Sequence, residues 1–214
     1  MEIFSEKENK KSTLRTKEAL LNALLTLVMQ KSFDEITVSN IIQLSGYSRT
    51  TFYNYYEDKY DMIEKIIDEE AEAFVNAVCN PIPENIHMTF ESDIYIPGLS
   101  LFEHVEQNKN LYYVLIHNML PNYSMDSFCQ KISKVFEQVI SIELSGNLQE
   151  LDFPLYCYIT SDTYIAFIKY WELHNFSFTP KYMARQMMTN WVRVKKVSSV
   201  SVKKLPSNFN TIDI

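Results

Sequence analysis

Residues 33–59 read FDEITVSNIIQLSGYSRTTFYNYYEDK, and the spacing of apolar residues changes twice within this one stretch. Val38, Ile41 and Ile42 form a short helical stripe, which Gly46 interrupts with no proline nearby. Ser48 then opens a second short segment, because serine is a favoured N-cap whose hydroxyl accepts from a free backbone N–H. Phe52 and Tyr56 lie four apart on one face of that segment. Thr50 and Asn54 lie four apart on the other, flanked by Arg49, Thr51, Tyr53 and Tyr55. Two short helices joined by a glycine-containing turn, the second with a polar outer face, predict a helix-turn-helix. The plainer alternative is the solvated face of a surface helix hairpin.

The polar face suits DNA. Arg49 can donate two hydrogen bonds to guanine or a charge-assisted bond to a phosphate. Asn54 can pair with adenine, and threonine methyls can touch thymine methyls. Expected at base edges are Ser39, Arg49, Thr50 and Asn54, with Ser48 at the helix start. Expected on phosphates, where they would fix register without reading sequence, are Thr37, Thr51, Tyr53, Tyr55 and Lys59.

The run Thr37-Val38-Ser39, Ile41-Ile42, Gly46 through Tyr56 and Asp58-Lys59 resembles the DNA-binding motif of TetR-family transcriptional regulators. Leu20-Leu21, Ala23 and Leu27 are similar to that family's first helix, and Phe33 to its aromatic before helix two. The resemblance covers roughly residues 13–65. Tyr47 stands where the family usually has Val, Tyr56 where it has Phe, and Ser32 where Gly is frequent. It implies an all-α protein with a three-helix DNA-binding head and a helical body for dimerisation and effector binding.

Composition agrees with an all-α fold. The chain of 214 residues is 46% hydrophobic and 14% aromatic, which excludes a disordered protein, and holds only 3 Gly and 7 Pro. Each glycine (Gly46, Gly98, Gly146) is expected at a break. The net charge of −7 looks wrong for DNA. Residues 1–60, however, carry 8 basic and 8 acidic residues, so the whole excess lies in the remainder, which would face away from phosphate. No apolar run reaches the ~18 residues that span a bilayer, and the first twenty residues are too polar for a secretory signal, so a cytoplasmic protein is expected. Cys79, Cys129 and Cys157 have no Cys-x-x-Cys spacing and read as buried small hydrophobes. The four histidines are scattered, neither a metal nor a cofactor is suggested, and no nucleophile has a base at a recognisable spacing, so an enzyme is not expected.

Along the chain, residues 1–11 read as a frayed arm and Ser12 or Thr13 as the cap of a helix reaching about Lys31. A long helix follows from Asp58 or Asp61 to about Cys79, linking head to body. Residues 81–97 read as a polar, proline-bounded connection with room for a short helix around Asn85–Glu91, followed by helices over 99–107, 111–119 and 125–145. A helix from Pro154 to about His174 is apolar on nearly all sides and must be covered on more than one face. Pro180 opens a last helix to about Lys196. The expected division is a DNA-binding domain over 1–60, a regulatory and dimerisation domain over 61–196, and a tail over 197–214.

The run FIKYWELHNFSFTPKYMARQM (167–187) resembles the last two helices of many TetR-family members. That implies a homodimer seam through Tyr164, Phe167, Ile168, Trp171, Met183, Met187 and Trp191, with packing inside one chain as the alternative. A two-fold dimer would place two reading helices one DNA turn apart on a palindromic site. The resemblance also implies an effector pocket, for which Phe74, Tyr112, Tyr113, Met119, Phe136 and Tyr164 are candidate lining, although such residues are more often core. A repressor released by a small molecule follows from this. A different expectation comes from LFEHVEQNKNLYYVLI (101–116), which resembles a TetR-like subgroup including an activator controlled by a dihydroxyacetone-kinase-like protein. There the body would bind a protein instead.

Overall fold

The computed structural model describes residues 2–79, 90–139 and 152–196, with side chains described for 12–79, 98–139 and 152–190. Among these residues the fold is all-α: nine α-helices, one short 3-10 turn and no strand. The tail 197–214, Gly146 and most of the 81–97 connection lie outside the described residues.

Helix α1 (Glu2–Val28) begins ten residues before the expected cap, so the segment read as a frayed arm carries helical backbone from Glu2. No Gly or Pro interrupts it, and Glu and Lys are good helix formers. Instead of the serine capping, the Thr16 hydroxyl donates back to the Ser12 carbonyl at 3.0 Å. Leu20, Ala23, Leu24, Leu27 and Val28 are the buried stripe. A 3-10 turn (Phe33–Glu35) leads to α2 (Val38–Ser45). Thr37 caps α2 reciprocally: its hydroxyl accepts from the Asn40 N–H at 3.2 Å, and the Asn40 side-chain oxygen accepts from the Thr37 N–H at 3.0 Å. Gly46 ends the helix at φ 74°, a left-handed conformation that glycine adopts without a Cβ clash.

After α3 (Arg49–Tyr53), the Asp58 carboxylate accepts from the Tyr60 and Asp61 N–H groups at 2.7 and 2.9 Å and starts α4 (Lys59–Cys79). Helix α5 (Phe90–Gln107) starts nine residues before the expected position and runs through Pro97 and Gly98. Gly98 is therefore no break. It lets α5 approach α9 closely, since a Cβ there would collide with the Met187 methyl. Next come α6 (Lys109–Ile116), α7 (Met125–Val139), α8 (Phe153–Leu173) and α9 (Pro180–Lys196). Asp152 caps α8 by accepting from the Leu155 N–H at 3.0 Å, with Pro154 in the first turn where its missing N–H costs nothing.

α1 packs on α2, α4 lies against α5 and α7, α7 against α8, and α5 against α9. The buried cluster is continuous from Leu20 in α1 to Met187 in α9. One polar node interrupts it: Glu70 of α4 accepts from the Tyr112 hydroxyl of α6 at 2.6 Å and pairs with Nε2 of His104 of α5 at 2.8 Å. Burial, with the Glu70 carboxylate beside it, pushes the Tyr112 hydroxyl well above the ordinary tyrosine range, so it stays a donor.

Candidate nucleic-acid interface

The head presents its polar residues as their spacing predicts. Phe52 and Tyr56 are buried, with ring centroids 5.6 Å apart, and they fix the inner side of α3. Arg49, Thr50, Tyr53 and Asn54 are exposed on the outer side. The Ser48 hydroxyl accepts from the Thr51 N–H at 3.0 Å and lies 2.8 Å from the Thr51 hydroxyl, so both side chains help to start the helix. Thr37, at the start of α2, is exposed with its cap made. Ser39 is exposed as well, and its hydroxyl accepts from Nη2 of Arg49 at 3.3 Å. Tyr53 is 51% exposed and makes no hydrogen bond through its hydroxyl among the described residues, while Tyr55 is half-buried.

Lys59 is placed otherwise than sequence predicts. Its Nζ donates to the carbonyls of Phe33 and Ile36 at 2.8 Å and of Asp34 at 3.2 Å, and sits 4.4 Å from the centre of the Phe33 ring. An ammonium has three donors, and all three are taken. The residue ties α4 to the 3-10 turn rather than offering a free charge to phosphate. The nearby Asp61 carboxyl is held below the ordinary carboxylate range by its hydrogen bond from Lys65.

In the body, the six residues read as pocket lining do not come together. Phe74, Tyr112, Phe136 and Tyr164 are buried and pack ring on ring: Phe74 and Tyr112 each against Phe128 at 6.1 Å, and Tyr164 against Phe74 at 6.0 Å and Phe136 at 6.4 Å. Tyr113 and Met119 instead line a cleft of about 370 Å³ with Met29 and Phe176. The cysteines are unpaired, and burial pushes the Cys129 thiol up to about 11, so none is an activated nucleophile.

The residues read as a dimer seam are mostly core of the single chain. Tyr164, Ile168, Trp171, Met183 and Met187 are buried, Phe167 is half-buried, and the Trp191 side chain lies outside the described residues. The reason is geometric. Helix α8 is apolar on two sides, and the notable aromatics of the run sit on the inner one. On the outer side Leu155, Ile159, Ala166, Tyr170 and Leu173 recur at helical spacing and remain open, with Ile159 55% and Leu173 74% exposed. Tyr182 and Gln186 of α9 continue that surface across a shallow groove of about 350 Å³. Sequence periodicity alone does not tell the inner stripe from the outer one, because both read as apolar.

Comparison with known proteins agrees with this architecture. Residues 98–191 match the family model TetR_C_8, the transcriptional regulator C-terminal region. The chain is 23% identical over 168 residues to the uncharacterized HTH-type transcriptional regulator YxbF of Bacillus subtilis, a match covering 77% of this chain and 42% of the relative. It is 26% identical over 68 residues to the HTH-type dhaKLM operon transcriptional activator DhaS of Lactococcus lactis, covering 32% of this chain and 36% of the relative. The chain thus spans less than half the length of each curated relative. A TetR-family regulator of Syntrophomonas wolfei shares the fold, with a TM-score of 0.59 at 14% identity over 90% of this chain and 98% of that one. These are regulators, not enzymes. Residues 98–191 thus resemble the C-terminal region of TetR-type transcriptional regulators, and the fold is that of a TetR-family regulator.

Proposed function

We propose that the protein regulates transcription as a cytoplasmic homodimer whose two α3 faces bind double-stranded DNA at a palindromic operator. The observation that carries this is the outer face of α3, where Arg49 has no carboxylate partner among the described residues and stands among exposed hydroxyls and an amide. The acidic excess in the rest of the chain supports one orientation, with the balanced head toward phosphate. The test is fluorescence anisotropy of the full chain on duplexes from upstream of its own gene, at several salt concentrations. Saturation at two chains per duplex is expected, with affinity falling steeply in salt and surviving excess random DNA. Tyr53→Ala should weaken binding several-fold on every sequence, because a phosphate contact carries no base information. Wild-type binding that random DNA competes away would sink the specific-operator reading.

The outer stripe of α8 with Tyr182 and Gln186 of α9 is the surface that best fits the dimer seam. An apolar face this long is unusual on an uncovered helix. Ile159→Asp places two like charges across a two-fold seam and should weaken dimerisation by about 2 kcal/mol. Sedimentation at micromolar concentration checks this, and an unchanged dimer would place the seam elsewhere.

A repressor released by a small-molecule effector is the reading in line with TetR-type regulators. The ring-on-ring packing of Phe74, Tyr112, Phe136 and Tyr164 gives that effector little room where it was expected. Exposed Tyr156 and Tyr158, which flank the α8 stripe, favour a second reading in which a partner protein controls the body. One curated relative is named as a transcriptional activator, that of the dhaKLM operon, so an activating role is the alternative to repression.

A further inference from the structure

We propose that Ser39 is a positioning residue for sequence reading. Its hydroxyl orients the Arg49 guanidinium for two parallel hydrogen bonds to a guanine, and so sets the preference at one base position in each half of the DNA site. The inference rests on the DNA-binding reading above.

Arg49 is the first residue of α3 and is exposed, and its Nη2 donates across the turn to the Ser39 hydroxyl of α2 at 3.3 Å. Among the described residues no carboxylate pairs with it, in a chain with 27 acidic and 20 basic residues. The kind of partner matters. A carboxylate would also hold a guanidinium still, but it would offset the charge and take two donors from the planar fork. A hydroxyl engages one corner and leaves the full charge and four of the five N–H groups. An untethered arginine must also give up the freedom of its long side chain on binding, whereas one already held has given up part of it. A guanidinium aimed at a phosphate gains little from such orientation, because attraction between charges is weakly directional. Bidentate contact with guanine N7 and O6 depends on it.

Ser39 therefore acts through Arg49 rather than as a base contact of its own, which is where the sequence alone places it. Its hydroxyl proton remains available for a phosphate oxygen, but the oxygen lone pair turned to Arg49 is the feature that bears on sequence preference.

The test uses the full-length chain and a pool of random-sequence DNA duplexes, with the bound fraction sequenced to give base preferences position by position. Wild type should select a guanine at one position in each half-site. Ser39→Ala should lower that preference by about three- to tenfold while the other positions keep theirs. Ser39→Thr, which keeps the hydroxyl, should restore most of it. Arg49→Lys keeps the charge but not the fork, and should flatten the same position. Replacing that guanine by 7-deazaguanine, which lacks N7, should weaken wild type by about tenfold and Ser39→Ala by less.

Unchanged preferences in Ser39→Ala would overturn the inference. So would an even loss at every position, which would make Ser39 a phosphate contact, or a loss at a position other than the one Arg49→Lys flattens, which would make it a base reader in its own right. A wild-type chain that selects no sequence at all would overturn the DNA-binding reading itself.

Discussion

Trp171→Ala is expected to destabilise the protein by about 4 kcal/mol, among the largest costs of any single truncation in this chain. The indole is fully buried between α5 and the turn into α9, with ring centroids 5.7 Å from Phe102 and 5.4 Å from Phe176. Its Nε1 donates to the Phe178 carbonyl at 3.0 Å, and its own carbonyl accepts from the Phe176 N–H at 2.9 Å. That turn carries Asn175 and Phe176 at φ 53° and 51°, conformations that cost free energy and persist only where neighbours enforce them. Removing the indole opens a large cavity, orphans a carbonyl and loosens the enforcement together. Urea denaturation followed by circular dichroism measures it. Trp171→Phe, which keeps most of the ring but not the N–H, should lose less than half as much. A loss below about 1 kcal/mol for Trp171→Ala would mean that the turn is held by something else.

Lys59→Met is the second. Methionine keeps most of the apolar stem but removes three hydrogen bonds and the contact with the Phe33 ring. Hydrogen bonds from a charged donor count for more than neutral ones, and three carbonyls lose their partner, so a loss of about 2–4 kcal/mol is expected. DNA affinity should fall too, because the 3-10 turn and α2 lose their tie to α4. The salt dependence separates this role from the one sequence predicts. A lysine that binds phosphate carries about one unit of the slope of log affinity against log salt, and its loss would lower that slope. With Lys59 turned inward, the slope should stay as in wild type while the midpoint of unfolding drops. A reduced slope with unchanged stability would return Lys59 to the phosphate backbone.

Legibility in the sequence divided along physical lines. The short helices of the head were readable because each depends on neighbours within four residues: Ser48 with Thr51, and Gly46 at its left-handed turn. The Thr37–Asn40 cap is just as local, although the sequence reading takes Thr37 for a phosphate contact. The helix starts that went astray, Glu2 for Ser12 and Phe90 for Leu99, are places where a serine or a Pro-Gly pair reads as a stop. At Gly98 the missing side chain serves a contact with Met187, nearly ninety residues away, that no local rule contains. Lys59 misled for the same reason, since its three acceptors lie more than twenty residues upstream. The body residues were identified as apolar correctly, but not which side of α8 they occupy. A helix that is apolar all round gives no internal sign of which stripe meets its own chain.

The Glu70 node sets how α4 is able to move. Its carboxylate is anchored to α5 through His104 and to α6 through Tyr112, so sliding or spinning α4 by a residue would break both bonds and strand a buried charge. Tilting about that point leaves the anchors nearly in place. Glu70 is thus a fulcrum, and the helix between it and Lys59 is a lever arm of eleven residues, about 16 Å long. A tilt of about 10° would swing the Lys59 end by about 3 Å. Because Lys59 holds the 3-10 turn ahead of α2, that swing carries the start of α2 along with it.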